Sequence, residues 1–460
     1  MIDFSYKDLA HILNAELINP IYYKKFDNIS SDSRNITENS IFFAFKGEKF
    51  DGHDYIYNVI NSGVKSIVIN KDRINDFKNL QITIFAVDDT IKAYGDLAKV
   101  YKNRIKTKVI AITGSNGKTT TKELLAHMLS TKYNVVKTEK NDNNHIGVPK
   151  TIFKADKNTE FIVLEVGTNH PGEIEYSAKI AQPDYSFITL IGESHLEFLK
   201  DLNGVLEEKY ALYKETIKHI GAIFVNIDDE LLDKKTKELI ERITISFEKK
   251  ADYEGEIVGF DELGKATVRI KTDNGIIFDL KNPLYGLANA KNLLYAASIA
   301  FHLGVDVEKI KNSLLTFEAV DNRMNVKKFA NFMLIEDYYN ANPKSMKAAI
   351  EYLNYLNVYT KKIAILGDMF ELGEHSKNEH EKLSFLLNDS NIQNVLLIGN
   401  DMKYLFDKMD KIKFNVKYFD NREEMVKYCE NMDIDESIIL VKGSRGMKME
   451  DFANIFKNKA

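Results

Sequence analysis

The string ITGSNGKTTTKELL, from Ile112 to Leu125, brings glycine, lysine and hydroxyl side chains together at a spacing that could hold phosphate. An ordinary phosphate loop reads G-x-x-x-x-G-K-[ST], and its first glycine would fall where Ile112 stands. The rest of the loop fits. Backbone N–H groups near Gly114 and Gly117 can face an anion, Lys118 adds a point charge, and the Thr119 hydroxyl is suited to Mg²⁺. A strand-to-helix turn with an incidental lysine would carry the same residues, so the surroundings must decide.

KVIAI (108–112) is a short β-branched run and TTTKELLAHML (119–129) has helical spacing. Strand, glycine turn and helix in that order aim the positive end of a helix at the turn. FIVLEVGT ends an apolar run on Glu165, where a carboxylate could face phosphate-bound Mg²⁺, although acidic residues also end strands for structural reasons. His195, in FITLIGESHLEFL, follows the next apolar run and should open toward the same sheet edge.

The segment Asn203–Ile220 reads as a helix whose apolar stripe is Val205, Leu206, Leu212, Tyr213 and Ile217, with Glu207, Glu208, Lys214, Glu215 and Lys218 mostly on the other face. Lys209 sits on the stripe. A charged amine there needs a partner, a lowered pKa or a route to solvent, and snorkelling is the simplest reading of the spacing alone.

A chain of 460 residues exceeds one hydrophobic core, so two or three domains are expected. With 44% hydrophobic and 28% charged residues the composition is globular, and a single cysteine, Cys429, excludes a disulfide framework and a cysteine zinc site and fits a reducing cytosol. A net charge of −5 gives no general attraction to nucleic acid or anionic membrane. The charged N-terminal residues do not read as a signal peptide, and no apolar run approaches the roughly 20 residues a membrane span needs. A cytoplasmic monomer with no nucleic-acid or membrane partner is expected.

The expected fold is α/β in three domains. Residues 1–103 hold strand-like runs at 41–47, 66–69 and 82–87, reading as a small α/β domain. Residues 104–318 alternate strand runs (KVIAIT, FIVLEVG, YSFITLIG, GAIFVNI) with helical sequence, which predicts a mostly parallel sheet with its ligand site at the strands' carboxyl ends. Residues 243–285 alternate around Asn274-Gly275, a two-residue hairpin signal within an antiparallel appendage. Residues 319–460 alternate FMLIED, KKIAILGD, NVLLIGN and SIILVKG with helical stretches, one opened by Asn342-Pro343, as a doubly wound domain.

Taken together, these motifs resemble the Mur ligase family of peptidoglycan synthesis. Its nucleotide loop has the form T-G-x-N-G-K-T, which Thr113–Thr119 matches, so the absent first glycine is normal there. SDSR, AFKGEKFDGH, NDNNHIGVP, LEVGTNHPGEI and SHLEFL follow in family order, and EDYYNANPKSM, LGDMFELGEHS and VKGSRGMKME are most similar to members that add D-alanyl-D-alanine.

The resemblance implies that ATP phosphates are bound by Gly114, Ser115, Asn116, Gly117, Lys118, Thr119 and Thr120, with further nucleotide contacts from Asn292, Arg323, Asp337, Tyr339 and Asn340. It implies Mg²⁺ on Thr119 and Glu165, a second Mg²⁺ on His195, and a CO₂-derived carbamate on Lys209 that supports that metal. Lys118, His195 and Lys209 would be catalytic. Ser31, Ser33, Arg34, Lys46 and Gly47 would hold the uridine nucleotide of a UDP-N-acetylmuramoyl-tripeptide, and Asn143 and Asn144 would face its peptide. D-alanyl-D-alanine would be the second substrate. Departures from the family pattern are Ala288 for a common histidine, Lys140 for a usual glycine and Glu336 in a usual Asp-Asp pair. A sibling adding one amino acid would carry D-N-P-R, where this chain has Asp321-Asn322-Arg323. A phosphate-loop ATPase without ligation would leave the inward Lys209 unexplained.

Overall fold

The computed structural model describes residues 4–20, 26, 28–47, 50–239 and 241–459. Its strands form three sheets, whose members fall within residues 16–87, 108–285 and 325–442. We retain the division at 103 and 318 as a proposal on that basis. No helix among the described residues is long and apolar enough to cross a membrane.

The first sheet has five strands, with Asn28–Ser30, Ser40–Phe43, Ser66–Asn70 and Thr83–Val87 parallel and Glu16–Ile18 antiparallel at one edge. The helix Thr90–Ile105 leaves it, with the Asp89 carboxylate accepting from the Ile91 and Lys92 N–H groups at 2.8 and 3.0 Å. This helix also packs on the second sheet's layer: Tyr94 meets the Phe153 ring at 4.9 Å and the Tyr101 hydroxyl donates to the Ala155 carbonyl at 2.6 Å.

The central sheet has nine strands. Its parallel core places Lys108–Thr113 between Phe161–Glu165 on one side and Tyr185–Ile188 on the other. These runs are almost wholly buried because helices cover both faces, which is why they read as continuous apolar stretches. The chain leaves Lys108–Thr113 toward one side and later returns to the other, so the loops following residues 113 and 188 sit at a topological switch point. The helices Lys118–Leu129 and Leu287–His302 share one apolar cluster through Leu124, Leu125, Leu293 and Leu294.

The antiparallel stretch is a continuation of this sheet, since Tyr253–Phe260 joins Arg242–Ser246 in parallel before pairing with Lys265–Thr272. The hairpin there differs from the two-residue expectation. Thr272 N–H bonds the Ile276 carbonyl, leaving Asp273, Asn274 and Gly275 as a three-residue loop. Of the two signal residues only Gly275 is left-handed (φ 85°), so the turn closes with a glycine bulge rather than the two positive-φ residues a type I′ turn requires.

The third sheet has Phe332–Asp337, Ser437–Lys442, Lys361–Gly367, Asn394–Ile398 and Asn415–Phe419 in parallel, with Asn325–Lys328 antiparallel at one edge. As expected, Asn342 caps the helix Pro343–Tyr355, forming a capping box with Ser345 and placing Pro343 in the first turn. A buried cluster runs from Ile188, Ile191 and Val205 into Met333, Met346 and Leu353, so the second and third sheets are docked against each other.

Candidate functional site

The carboxyl ends of the second and third sheets face one another across a cleft of about 590 Å³. Its floor is the loop after Lys108–Thr113, and that loop is fixed by two glycines. Gly114 has φ 141°, and a Cβ there would lie 1.9 Å from the Thr189 hydroxyl. Gly117 has φ 80°, and its Cβ would lie 2.4 Å from Oδ1 of Asn292. A side chain at either position would displace the loop from the neighbouring strand or from the helix Leu287–His302.

Ser115, Asn116, Gly117, Lys118, Thr119 and Thr120 line the cleft, while Gly114 lies beneath them against Thr189. Lys118 donates to the Gly114 carbonyl at 2.7 Å, and burial lowers its pKa against the supporting charge of Glu165. Glu165 and Asn143 also line the cleft, and the Asn143 amide donates to Oε1 of Glu165 at 2.9 Å. Oε2 of Glu165 is buried with no hydrogen-bond partner, and Lys122 Nζ stands 4.0 Å away, too far to satisfy it. An orphaned carboxylate oxygen in a cleft that Thr119 also lines is a donor chemistry that Mg²⁺ fits. Among the described residues no three His, Cys, Asp or Glu side chains cluster as a metal cage.

His195 comes from the loop after Tyr185–Ile188 and has a left-handed backbone, φ 54°. Its Nδ1 lies 2.6 Å from Oε2 of Glu371, across the cleft in the third domain. Nδ1 makes no well-aligned hydrogen bond, so the two groups are in close contact without a fully directed bond. The imidazole holds the Glu371 carboxyl below the usual glutamate range.

Lys209 is 1% exposed, which removes snorkelling as its explanation. It makes no hydrogen bond or ion pair among the described residues, and it does not line the cleft surface. Burial, reinforced by the Lys118 charge, pushes its pKa well below that of an ordinary lysine. Disfavouring the ammonium favours the form that reacts with CO₂, so the residue fits the expected carbamate. Glu208 and Glu215, expected on the solvent face of this helix, are instead buried. Glu208 accepts from Gly172 N–H, Ile174 N–H and the Thr168 hydroxyl, satisfying the start of the helix Glu173–Ala181.

From the third domain, Arg323 stacks on Tyr339 at 3.8 Å, with its Nε buried and without a partner. Asp337 accepts from Met324 N–H at 3.1 Å and from Lys442 at 2.6 Å, and Lys442 also reaches the Asn340 carbonyl at 3.2 Å. All four of these predicted residues, Arg323, Asp337, Tyr339 and Asn340, line the cleft with Asn292. Sequence reading named Asn342 only as a helix cap and held Lys344, Glu371, Lys442 and Arg445 only within motifs, yet the fold brings all five to the same cleft. Asn116 and Asn342 exchange two amide hydrogen bonds of 3.0 and 2.8 Å, and Lys344 donates to the Ile191 carbonyl. The lining cations Lys118, Arg323, Lys344, Lys442 and Arg445 outnumber the acids Glu165, Asp337 and Glu371, so the cleft suits a polyanion.

The first-domain candidates lie elsewhere. Ser31, Ser33 and Arg34 follow Asn28–Ser30, and Lys46 and Gly47 follow Ser40–Phe43, so both loops leave the same edge of adjacent parallel strands. Arg34 is exposed and forks onto Asp32 at 2.9 Å. Lys46 and Asp51 form an isolated backbone β-bridge, and buried His53 contacts the Asp51 carboxylate at 2.6 Å. The Asn144 side chain accepts from Ile146 and Gly147 N–H groups, anchoring the helix Gly147–Phe153 rather than lining the cleft. Lys140 has φ 47°, the conformation that explains a usual glycine there. Glu336 is buried between Lys327 and Lys457, away from the cleft, whereas Ala288 lines it.

Three family descriptions match consecutive parts of the chain: "Mur ligase family, catalytic domain" over residues 25–113, "Mur ligase middle domain" over 112–300 and "Mur ligase, glutamate ligase domain" over 322–445. The chain is also 32% identical over 455 residues to the UDP-N-acetylmuramoyl-tripeptide–D-alanyl-D-alanine ligase of Bacillus subtilis, covering 98% of each chain. It belongs to the Mur ligase family. A crystal structure of MurF from Acinetobacter baumannii, 28% identical, superposes on this Mur ligase with a TM-score of 0.89 over 99% of each chain. MurF ligase from Thermotoga maritima, solved in complex with ADP, is also 28% identical, with a TM-score of 0.81 over 94% of this chain and 97% of that one.

In this Mur ligase the Gly117→Ala substitution is expected to weaken ADP binding by at least about tenfold, or about 1.4 kcal/mol, because the new methyl group must push the loop off Asn292. Calorimetric titration with ADP reads the effect. Unchanged affinity in a folded variant would mean that the loop does not need its glycine conformation.

Proposed function

We propose that the chain is an ATP-dependent ligase that joins D-alanyl-D-alanine to UDP-N-acetylmuramoyl-tripeptide, releasing ADP and phosphate. The observation that carries this reading is the convergence of the third-domain NANPKSM and VKGSRGMKME residues on the phosphate loop, as in the paired Asn116 and Asn342 side chains. A hydrolytic ATPase has no need of a second sheet carrying a second substrate's motifs to that point.

The carboxylate oxygen of the tripeptide attacks the γ-phosphorus, the bond to ADP breaks, and a mixed acyl phosphate forms. The dipeptide amine then attacks the carbonyl carbon, loses a proton, and expels phosphate together with the carboxylate's oxygen. Lys118, now resting on the Gly114 carbonyl, is placed in the loop to follow the transferring phosphate. Arg323, Lys344 and Arg445 add positive charge from the facing side. Mg²⁺, when bound, neutralises phosphate charge, and Thr119, Glu165, His195 and carbamylated Lys209 are the residues that would hold it. The docked third domain excludes water, which would otherwise hydrolyse the acyl phosphate. Ser31, Ser33, Arg34, Lys46 and Gly47 are proposed to grip the uridine nucleotide at the far end of the substrate. We further propose a monomer acting in the cytoplasm.

ADP release is expected to require both the tripeptide nucleotide and the dipeptide, as a coupled ADP assay will show; equal release with neither would mark a simple ATPase. Lys209→Ala is expected to be nearly inactive and to recover part of its activity in millimolar formate or acetate, which can enter the vacated space as the missing anion. An alanine variant that keeps most of its turnover, indifferent to added carboxylate, would contradict the carbamate.

A further inference from the structure

The loop at 368–375 is held at its base by buried groups. Met369 N–H donates to Nε2 of buried His380 at 3.0 Å, and Phe370 N–H donates to the Ser444 hydroxyl at 2.8 Å. Its tip crosses to the second domain. Glu371 brings its carboxylate to 2.6 Å from His195 Nδ1, and its carbonyl accepts from Glu197 N–H at 3.2 Å. His375 Nε2 lies 3.1 Å from the Lys200 carbonyl, and a Cβ on Gly373 would approach Glu197 Cα to 3.1 Å.

Both members of the central pair are non-glycine residues in left-handed backbone, His195 at φ 54° and Glu371 at φ 63°. Such conformations persist only where the surroundings over-determine them, and they gather at sites where a side chain must be aimed. Here the two strained residues come from different domains, nearly 180 positions apart in sequence, and meet each other.

We propose that Glu371 is a positioning residue that fixes the His195 imidazole from across the cleft, so that docking of the third domain and alignment of His195 are a single event. The inference rests on the ligase reading given above. A carboxylate on Nδ1 sets the ring's tautomer and leaves the lone pair on Nε2, the arrangement that carboxylates impose on metal-binding histidines. The contact is short but not aligned, and a small ring rotation aligns it when the cleft fills. Sequence distance hides the pairing, and only the docked arrangement creates it.

The test compares wild type with Glu371→Ala, Glu371→Gln and Glu371→Asp, and with Glu374→Gln as an exposed neighbour. Mn²⁺ binding is followed by electron paramagnetic resonance in the presence of a non-hydrolysable ATP analogue, alongside ADP affinity, kcat and KM. Glu371→Ala and Glu371→Gln are expected to lose about tenfold or more in Mn²⁺ affinity and in kcat, as carboxylates behind histidine ligands do, while ADP affinity stays within about twofold. Glu371→Asp should recover part of both, and Glu374→Gln should match wild type. Unchanged Mn²⁺ affinity in folded Glu371→Gln would overturn the proposal, as would an equal fall in ADP affinity, which signals general damage to the cleft. Wild-type protein that binds no Mn²⁺ with the analogue, or makes no ADP from both substrates, would fail the ligase reading itself and remove the basis of the inference.

Discussion

A nucleoside triphosphate concentrates several negative charges within a few ångströms, and in a chain of net charge −5 that charge can be met only locally. In the proposed site the phosphate loop would meet part of it with backbone N–H groups, the start of the helix Lys118–Leu129 and one lysine. The remainder would come from the facing sheet, where Arg323, Lys344, Lys442 and Arg445 line the cleft. Each domain alone therefore presents an incomplete electrostatic site. The reciprocal Asn116–Asn342 amide pair holds the two halves in register through neutral groups, and Lys344 adds a bond to the Ile191 carbonyl.

The same constraint accounts for the buried polar groups beneath the cleft. Glu165 leaves one oxygen without a hydrogen-bond partner, which is what the proposed role toward a cation requires. Lys209 is kept dry and close enough to Lys118 to feel its charge, which disfavours an ammonium and favours an amine open to modification. Glu208, one residue earlier, faces a different task and closes the start of the helix Glu173–Ala181. Adjacent residues on one helix thus divide between the proposed chemistry and the architecture.

Much of this was legible in the sequence. The strand runs at 108–112, 161–165 and 332–337 announce themselves because burial on both faces leaves no polar alternation, and Asn342-Pro343 announces its helix through capping chemistry. Gly114, Lys118, Glu165 and His195 could be placed at one sheet edge because strand order implies where parallel strands end. Helical periodicity missed the burial of Glu208 and Glu215, since it records a helix's own faces and not a neighbouring helix's need for an acceptor. The Asn274-Gly275 signal gave the hairpin but not its loop length, because glycine alone took the left-handed conformation. Contacts across the cleft, such as Glu371 with His195, depend on how two separately folded sheets dock, and no local pattern encodes that.

The central claim is that the cleft transfers the γ-phosphoryl group to a carboxylate before the amide bond is made. The most direct measurement uses tripeptide nucleotide labelled with ¹⁸O in its terminal carboxylate, ligated to D-alanyl-D-alanine in unlabelled water. Mass spectrometry of the released phosphate should find one ¹⁸O per molecule, carried over from the peptide through the acyl phosphate. Released phosphate without label would mean that its fourth oxygen came from water, and would contradict the account.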